Sequence, residues 1–457
     1  MFKNLLNIFK KKKNQTTDIN TSSDDSKEES KRPKVLIEII DISPNVYLTH
    51  TGARICVGKG PVNGFNNQLN HVGKVIGMNH ESVMEHTNVV ILLTFEDKEL
   101  SFDILEFIGN CKFMNVRRVG NTLLIGASAR AIIHFLRECP TTNKYYYVFQ
   151  YVAYHSLEKE FLSSVMDFLD KEKCIFTPNM KIELKNDEAD VKESSYYPPI
   201  IKGDRVDIVY HQDPIYIYNK IKDRGYLLRD AYAVSIVSII FHDISRSCGN
   251  QLTRHRDAIS QESQRYVLGE YTIKDSFVNP ISMNDNNRYD NLPQKVIDKL
   301  NSDVFYMYRY AISATVFKED ARAWLPMNVK TKIMMTFTYT NLGYFLKLRT
   351  SRSAQKEIRL VAEEIAKYIP EFTGNTLESL YINTTIPYNT IYNHMDDYKE
   401  LITIDEDLGT VLEEVDPDKE PTPDQVQDQD PKPLNINSID DAKRYMEEAK
   451  KLKDLEK

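Results

Sequence analysis

Apolar and polar positions change period along this chain, and the changes mark its elements. Val35 to Ile40 is β-branched and apolar, and predicts a strand. Asn88 to Phe95 has the same character and predicts a second, buried strand. Between them, residues 65–80 read as helix or loop leading to His80. Leu123 to Gly126, followed by Ala129 to Leu136, predicts a strand or turn running into a helix, and Tyr145 to Tyr154 is aromatic-rich. Tyr232 to Phe241 is strand-like again, with Ile236, Val237, Ile239 and Ile240, and Asp243 to Thr253 reads as a short helix. Residues 291–320 and 350–368 have helical periodicity. No internal repeat is evident.

The ends and one middle stretch lack apolar periodicity. Residues 14–34 are rich in Ser, Thr, Asp, Glu and Lys and read as disordered linker. Residues 180–195 read as a charged loop, and 404–434 as an acidic, disordered tail. Ser438 to Glu456 suits a solvated helix, with Ser438-Ile439-Asp440-Asp441 as its capping start. At the N-terminus, Phe2, Leu5, Leu6 and Phe9 have helical spacing before Lys10 to Lys13. That suits a membrane-surface or partner helix, but its shortness favours a frayed basic tail. It lacks the apolar core and small-residue cleavage site of a secretory signal.

Composition narrows the function classes. With 457 residues, 41% hydrophobic and 10% aromatic, the chain can bury a substantial core in one large domain with additions or in two to three. Lys and Arg number 59 against 66 Asp and Glu, a net charge of −7, which argues against bulk electrostatic binding of nucleic acid. The five cysteines, Cys56, Cys111, Cys139, Cys174 and Cys248, are widely spaced with no Cys-x-x-Cys pair. Neither a zinc site nor a redox pair is expected; no metal is assigned, and a reduced, cytoplasmic setting fits. No apolar run approaches a membrane span, so membrane association is not expected.

The segment Gln251 to Tyr266 is the richest in chemistry. It holds Arg254, His255, Arg256, Ser263, Gln264 and Arg265, with no apolar period of a buried strand or helix. Guanidinium forks suit phosphate and carboxylate, so an anionic, partly polar ligand such as a nucleotide fits; a solvated, salt-bridged loop is the alternative.

Arg254-His255-Arg256 followed by Ser263, Arg265 and Tyr266 resembles the flavin-dependent thymidylate synthase family (ThyX). Other elements resemble it in the same order. They are His80-Glu81-Ser82-Val83-Met84-Glu85-His86 entering an apolar run, Ala321-Arg322-Ala323-Trp324-Leu325-Pro326, Phe345-Leu346-Lys347-Leu348-Arg349, and Ala354-Gln355-Lys356-Glu357-Ile358-Arg359. The resemblance implies an α+β fold, a mixed or antiparallel sheet flanked by helices. The expected organisation is a tail at 1–34, a catalytic domain at 35–375 interrupted by a large insertion at about 98–225, an extension at 376–403 and a tail at 404–457.

It also implies conversion of dUMP to dTMP, with methylenetetrahydrofolate as carbon donor and FAD, reduced by NADPH, as hydride donor. A homotetramer with shared active sites is implied too. The alternatives are a related pyrimidine-nucleotide one-carbon transferase and a non-catalytic dUMP- or flavin-binding homologue. By resemblance Arg349, His80 and Ser263 are catalytic. The implied dUMP-binding residues are Gln251, Arg254, Gln261, Glu262, Ser263, Gln264, Arg265, Arg322 and Arg349; those for FAD are Ser82, Arg254, His255, Arg256 and Glu262. Plain ion pairs are the competing roles: Arg349 with Glu357, and Arg322 with Glu319 or Asp320. Two departures stand out. The spacer Asp257 to Glu262 is one residue shorter than the family's, so Gln261 and Glu262 compete for one acceptor role. The family's Asn-x-Arg before the last helix, which touches FAD, is replaced by Thr338-Tyr339-Thr340, and Tyr344 stands where Asn is common.

Overall fold

The structure, a computed structural model, describes residues 35–96, 101, 104–105, 108, 112–138, 145–162, 181–182, 200–265, 276–278, 294–373 and 377–383. Both expected tails, the helix at 438–456, most of the loop at 180–195 and Tyr266 lie outside them.

The strand β1 (Val35–Ile42) pairs antiparallel with β2 (Val89–Phe95), and both are almost wholly buried, which accounts for their unbroken apolar runs. Helices α1 (Asn45–Cys56) and α2 (Phe65–Gly77) and a 3-10 turn over Glu81–His86 join them. The strands β3 (Met114–Val119) and β4 (Thr122–Ala127) form a hairpin whose β4 pairs with β2, so this stretch extends the first sheet. The short β5 (Lys181–Ile182) runs parallel to β1, giving the order β3-β4-β2-β1-β5. After β4 come α3 (Ala129–Glu138), α4 (Tyr146–Ser156) and α5 (Lys159–Leu162). Their buried face, with Ile132, Phe149 and Phe161, closes one core with Ile37, Ile91 and Ile125 of the sheet.

A second five-stranded sheet follows. It contains β6 (Ile201–Lys202), β7 (Val206–His211), β8 (Ile236–Ser245), β9 (Ala258–Gln261) and β10 (Lys330–Thr338), in the order β6-β7-β8-β10-β9. Helix α6 (Pro214–Ile221) starts where Asp213 accepts from the Ile215 and Tyr216 N–H groups, with Pro214 at its first position. Then comes α7 (Leu228–Val234), so Tyr232 to Val234 are helical and the strand begins only at Ile236. The aromatic and β-branched residues there read as strand, but the Asp230 carboxylate accepts from the Leu227 N–H at 2.8 Å and closes a helical turn first. The strand also runs on to Ser245, so the expected helix starts later, as α8 (Arg246–Leu252), capped by Ser245. The stretch 251–265 is likewise not one loop. It holds the end of α8, a 3-10 turn over Thr253–His255, and β9.

The helices α9 (Gln294–Ser313), α10 (Lys318–Ala321), α11 (Tyr339–Arg349), α12 (Lys356–Thr373) and α13 (Leu377–Asn383) complete this part. Phe337, Tyr339, Phe345, Ile358 and Ile365 pack with Ile239 and Phe241 in its core. The two sheets meet through their helices. α1 and the Glu81–His86 turn pack on β9 and β10, and α7 packs on β3 and β4.

Candidate functional site

The end of α8 lifts the arginine segment out of the second core. Leu252 is buried, while Arg254 and Arg256 are exposed on the following turn and His255 is half-buried between them. Arg256 takes a left-handed φ of 58° that turns the chain into β9. Across from this turn, Arg349 ends α11 and donates from Nε to His255 Nε2 at 3.0 Å. Burial, then the adjacent Arg349 charge, hold the His255 pKa down at about 4. The ring is therefore neutral at pH 7 and carries its proton on Nδ1, free to accept at Nε2. Gln251, one turn earlier, donates to the side chain of Gln355, so the candidate residues Gln251, His255 and Arg349 gather in one group.

A second group lies past β9. The Ser263 N–H donates to the Cys56 carbonyl of α1 at 2.9 Å, and the Ser263 hydroxyl accepts from the Arg265 N–H at 3.3 Å. Arg265 pairs with the Glu319 carboxylate at 3.0 Å. Arg322 donates from Nε to the Glu319 backbone carbonyl at 3.0 Å, so its contact to Glu319 is a hydrogen bond to the main chain and not the ion pair considered for it. Glu357 likewise accepts from the Ser245 N–H and hydroxyl, at 2.7 and 2.5 Å, and does not pair with Arg349. Gln261 and Gln264 turn side-chain amides inward, and each Nε2 is buried without a hydrogen-bond partner. Burial raises the Glu262 pKa against the nearby Lys332 and Arg246 charges.

The His80 box splits. His80 and Ser82 are exposed, and among the described residues no hydrogen bond joins them to either group. Glu81 pairs with Arg137 and His134 of α3, and Glu85 with Arg130. The last residue, His86, is fully buried and reaches the second sheet, with Nδ1 2.9 Å from Thr336 Oγ1 and Nε2 2.9 Å from Ser260 Oγ. Burial depresses its pKa to about 3. α1 passes so close that a Cβ on Gly52 would lie 2.7 Å from the His86 ring. The sequence named His86 within the box but gave no sign of this role, because its partners are far along the chain.

A cavity of about 440 Å³ is lined by residues of both sheets and the turns beside them. Glu85, Lys112 and Arg117 line it from one side, and Arg256, Asp257, Thr338 and Asn341 from the other. Asp257 accepts from Asn341 Nδ2 at 2.6 Å, and burial drives its pKa up to about 7 despite that bond. Asp257 and Lys112 were not among the candidates, since nothing local in the sequence marks them. Burial raises both described thiols, Cys56 and Cys248, so neither is poised as a thiolate nucleophile.

Residues 233–372 match the family model described as Thymidylate synthase complementing protein. A flavin-dependent thymidylate synthase of Pyrococcus furiosus is 41% identical over 129 residues, 27% of this chain and 51% of that protein. One from Sulfurisphaera tokodaii is 30% identical over 177 residues, 38% of this chain and 63% of that protein. The chain thus spans about half the length of the curated relatives it matches. Among solved structures, Thymidylate Synthase X from Helicobacter pylori with FAD and dUMP aligns at 15% identity over 39% of this chain and 98% of that one, with a TM-score of 0.31, too low to bear on the fold.

Proposed function

We propose that this chain, which belongs to the flavin-dependent thymidylate synthase family, converts dUMP to dTMP, with methylenetetrahydrofolate as carbon donor and NADPH-reduced FAD as hydride donor. The Arg349–His255 pair carries the reading. Neutral His255 fixes the guanidinium plane and leaves the other N–H groups for an anion. Beside the pyrimidine, Arg349 stabilises negative charge at N3 and the carbonyl oxygens, which makes C5 nucleophilic. Arg254, Arg265 and Arg322 are the cations for the nucleotide phosphate, with Gln251, Ser263 and Gln264 as polar partners and either Gln261 or Glu262 as acceptor.

The cavity suits a phosphate-bearing dinucleotide. It offers Arg256 and Lys112 as cations and Thr338 and Asn341 as hydrogen-bonding groups. Ser82, Arg254, His255, Arg256 and Glu262 would hold the flavin, and His80 would stand near flavin and folate. When bound, the flavin supplies the hydride that completes the methyl group. Lys112 lines the same cavity as Thr338, where the family's arginine is missing, and offers a cation there.

The test is a yellow, flavin-containing purified protein whose spectrum shifts with dUMP, and which releases tritium from C5-labelled dUMP given NADPH and methylenetetrahydrofolate. A protein that binds neither FAD nor dUMP and releases no tritium sinks the reading. Thr338 and Thr340, in place of Asn-x-Arg, favour a second reading, a homologue that binds dUMP without turnover. Tight dUMP binding with no tritium release would select it.

A further inference from the structure

The two sheets repeat one plan. Read from its other edge, the second is β9-β10-β8-β7-β6, against β3-β4-β2-β1-β5 for the first. Four strands correspond, and their three pairings are antiparallel in both sheets. The fifth strands do not: β5 runs parallel to β1 and follows its four in the chain, while β6 runs antiparallel to β7 and precedes its own. Each first strand leads through helices to the second, and each last inner strand leads directly into a helix. β1 and β7 are also irregular at matching points, between Ile39 and Asp41 and between Ile208 and Tyr210.

Residue correspondences follow from the ladders. Aligning Val89 with Val237 matches Ala127 to Phe337 through their β4 and β10 partners. The next residues, Ser128 and Thr338, both cap the helix that follows. Ser128 Oγ accepts from the Ala131 N–H and Thr338 Oγ1 from the Asn341 N–H, each at 3.2 Å. The same shift carries Tyr146, the start of α4, to Lys356, the start of α12. Through the outer pairings Phe113 matches Arg256, and both are left-handed, at φ 61° and 58°. Non-glycine residues seldom adopt that conformation, so its recurrence at matched positions is telling.

The halves also pack as an approximate two-fold pair, each offering the turn before its second strand to the other's sheet. His86 meets Thr336 and Ser260; their counterparts are Val234, Gly126 and Arg117. Val234 does lie on Gly126, so closely that a Cβ there would come within 2.6 Å of the Val234 carbonyl oxygen. The chemistry is not repeated. His255-Arg256 corresponds by position to Lys112-Phe113, and His80-Glu81-Ser82 to Leu228-Arg229-Asp230.

We infer that residues 35–162 and 200–373 are two copies of one unit fused in a single chain, and that only one of the two equivalent inter-half sites binds ligand, giving one nucleotide site per chain. That site pairs the first half's His86 turn with the second half's arginine segment. Region 98–225 is then the completion of one copy and the start of the next, and not an insertion. The ligand's identity rests on the function proposed above; the two-copy arrangement rests on topology.

The test uses the full chain with a protease recognition sequence placed within 183–199 and cut after purification. Native mass spectrometry should find the two fragments held one to one, and equilibrium dialysis should count one dUMP per pair, with affinity within about twofold of the uncut chain. Fragments that separate at micromolar concentration, or two dUMP per chain, overturn the inference. Fragments held one to one that bind no dUMP support the two copies and refute the nucleotide reading instead. A second variant replaces 98–225 by a short Gly-Ser linker. It should lose its folded circular dichroism signal, because it loses all five strands from β3 to β7; a folded, dUMP-binding product would overturn the inference.

Discussion

Arg349 gains its geometry from His255, and its substitutions separate charge from shape. Arg349→Lys keeps the cation but loses the planar fork and the Nε donor to the ring. Tritium release from C5-labelled dUMP should fall by roughly 10²-fold or more. The dUMP affinity should change far less; an equal loss in both would mean that Arg349 only binds. Asp257 makes a pH prediction. Its folded pKa, about 7, lies above the ordinary aspartate value of 3.8, so the fold resists its ionisation. Native stability should therefore drop as pH rises from about 4 towards 7 and level off above. Asp257→Asn removes that drop, and should raise stability at pH 8 by roughly 1–3 kcal/mol while changing little at pH 4, as read from urea melts. No gain at pH 8 would show the carboxylate to be solvated. The sequence made Arg349 and His255 legible through resemblance, because their motifs are local. It could not reveal Asp257, Lys112 or the partners of His86, whose character comes from residues that meet only after folding.

Elements whose signal lies in a single run were legible: β1, β2, β4 with α3, and α12 fall close to where their periodicity puts them. Those set by competition were not. The Asp230 cap decides between helix and strand at Tyr232, and a ladder with β10 makes β9 out of a polar stretch. Caps also give a measurable comparison. Thr338 starts α11, the helix that ends in Arg349, and Ser128 starts α3 by the same hydrogen bond. Thr338→Ala and Ser128→Ala should each cost about 1 kcal/mol in denaturant unfolding. The first should lower the rate of tritium release more than the second, since α11 carries Arg349 and Thr338 is itself one of the cavity groups assigned to the flavin.

At the scale of the whole molecule, His86 is one of the groups that join the two halves, and its ionisation should register in overall stability. In the denatured chain its ring titrates near the ordinary histidine value of 6.5, but in the fold burial holds the pKa at about 3. A depressed histidine pKa means that the stability is fully present above about 6.5 and is lost as pH falls towards the folded value, because the denatured state takes up the proton first. His50, with a folded pKa of about 4, and His255, also about 4, act in the same direction. From His86 alone the loss between pH 6.5 and 5 should be about 2 kcal/mol. His86→Gln leaves the Thr336 and Ser260 hydroxyls imperfectly paired, and should cost roughly 1–3 kcal/mol at pH 7.5. Its stability should then fall less steeply with acid than that of the parent. The opposite contact supplies the control. Gly126→Leu forces a side chain against the Val234 backbone and should destabilise by a few kcal/mol, but with the parent's pH slope, because the atoms it meets belong to Val234, which does not titrate. If His86→Gln and Gly126→Leu gave the same pH slope, the histidine would not be the group through which acid separates the halves.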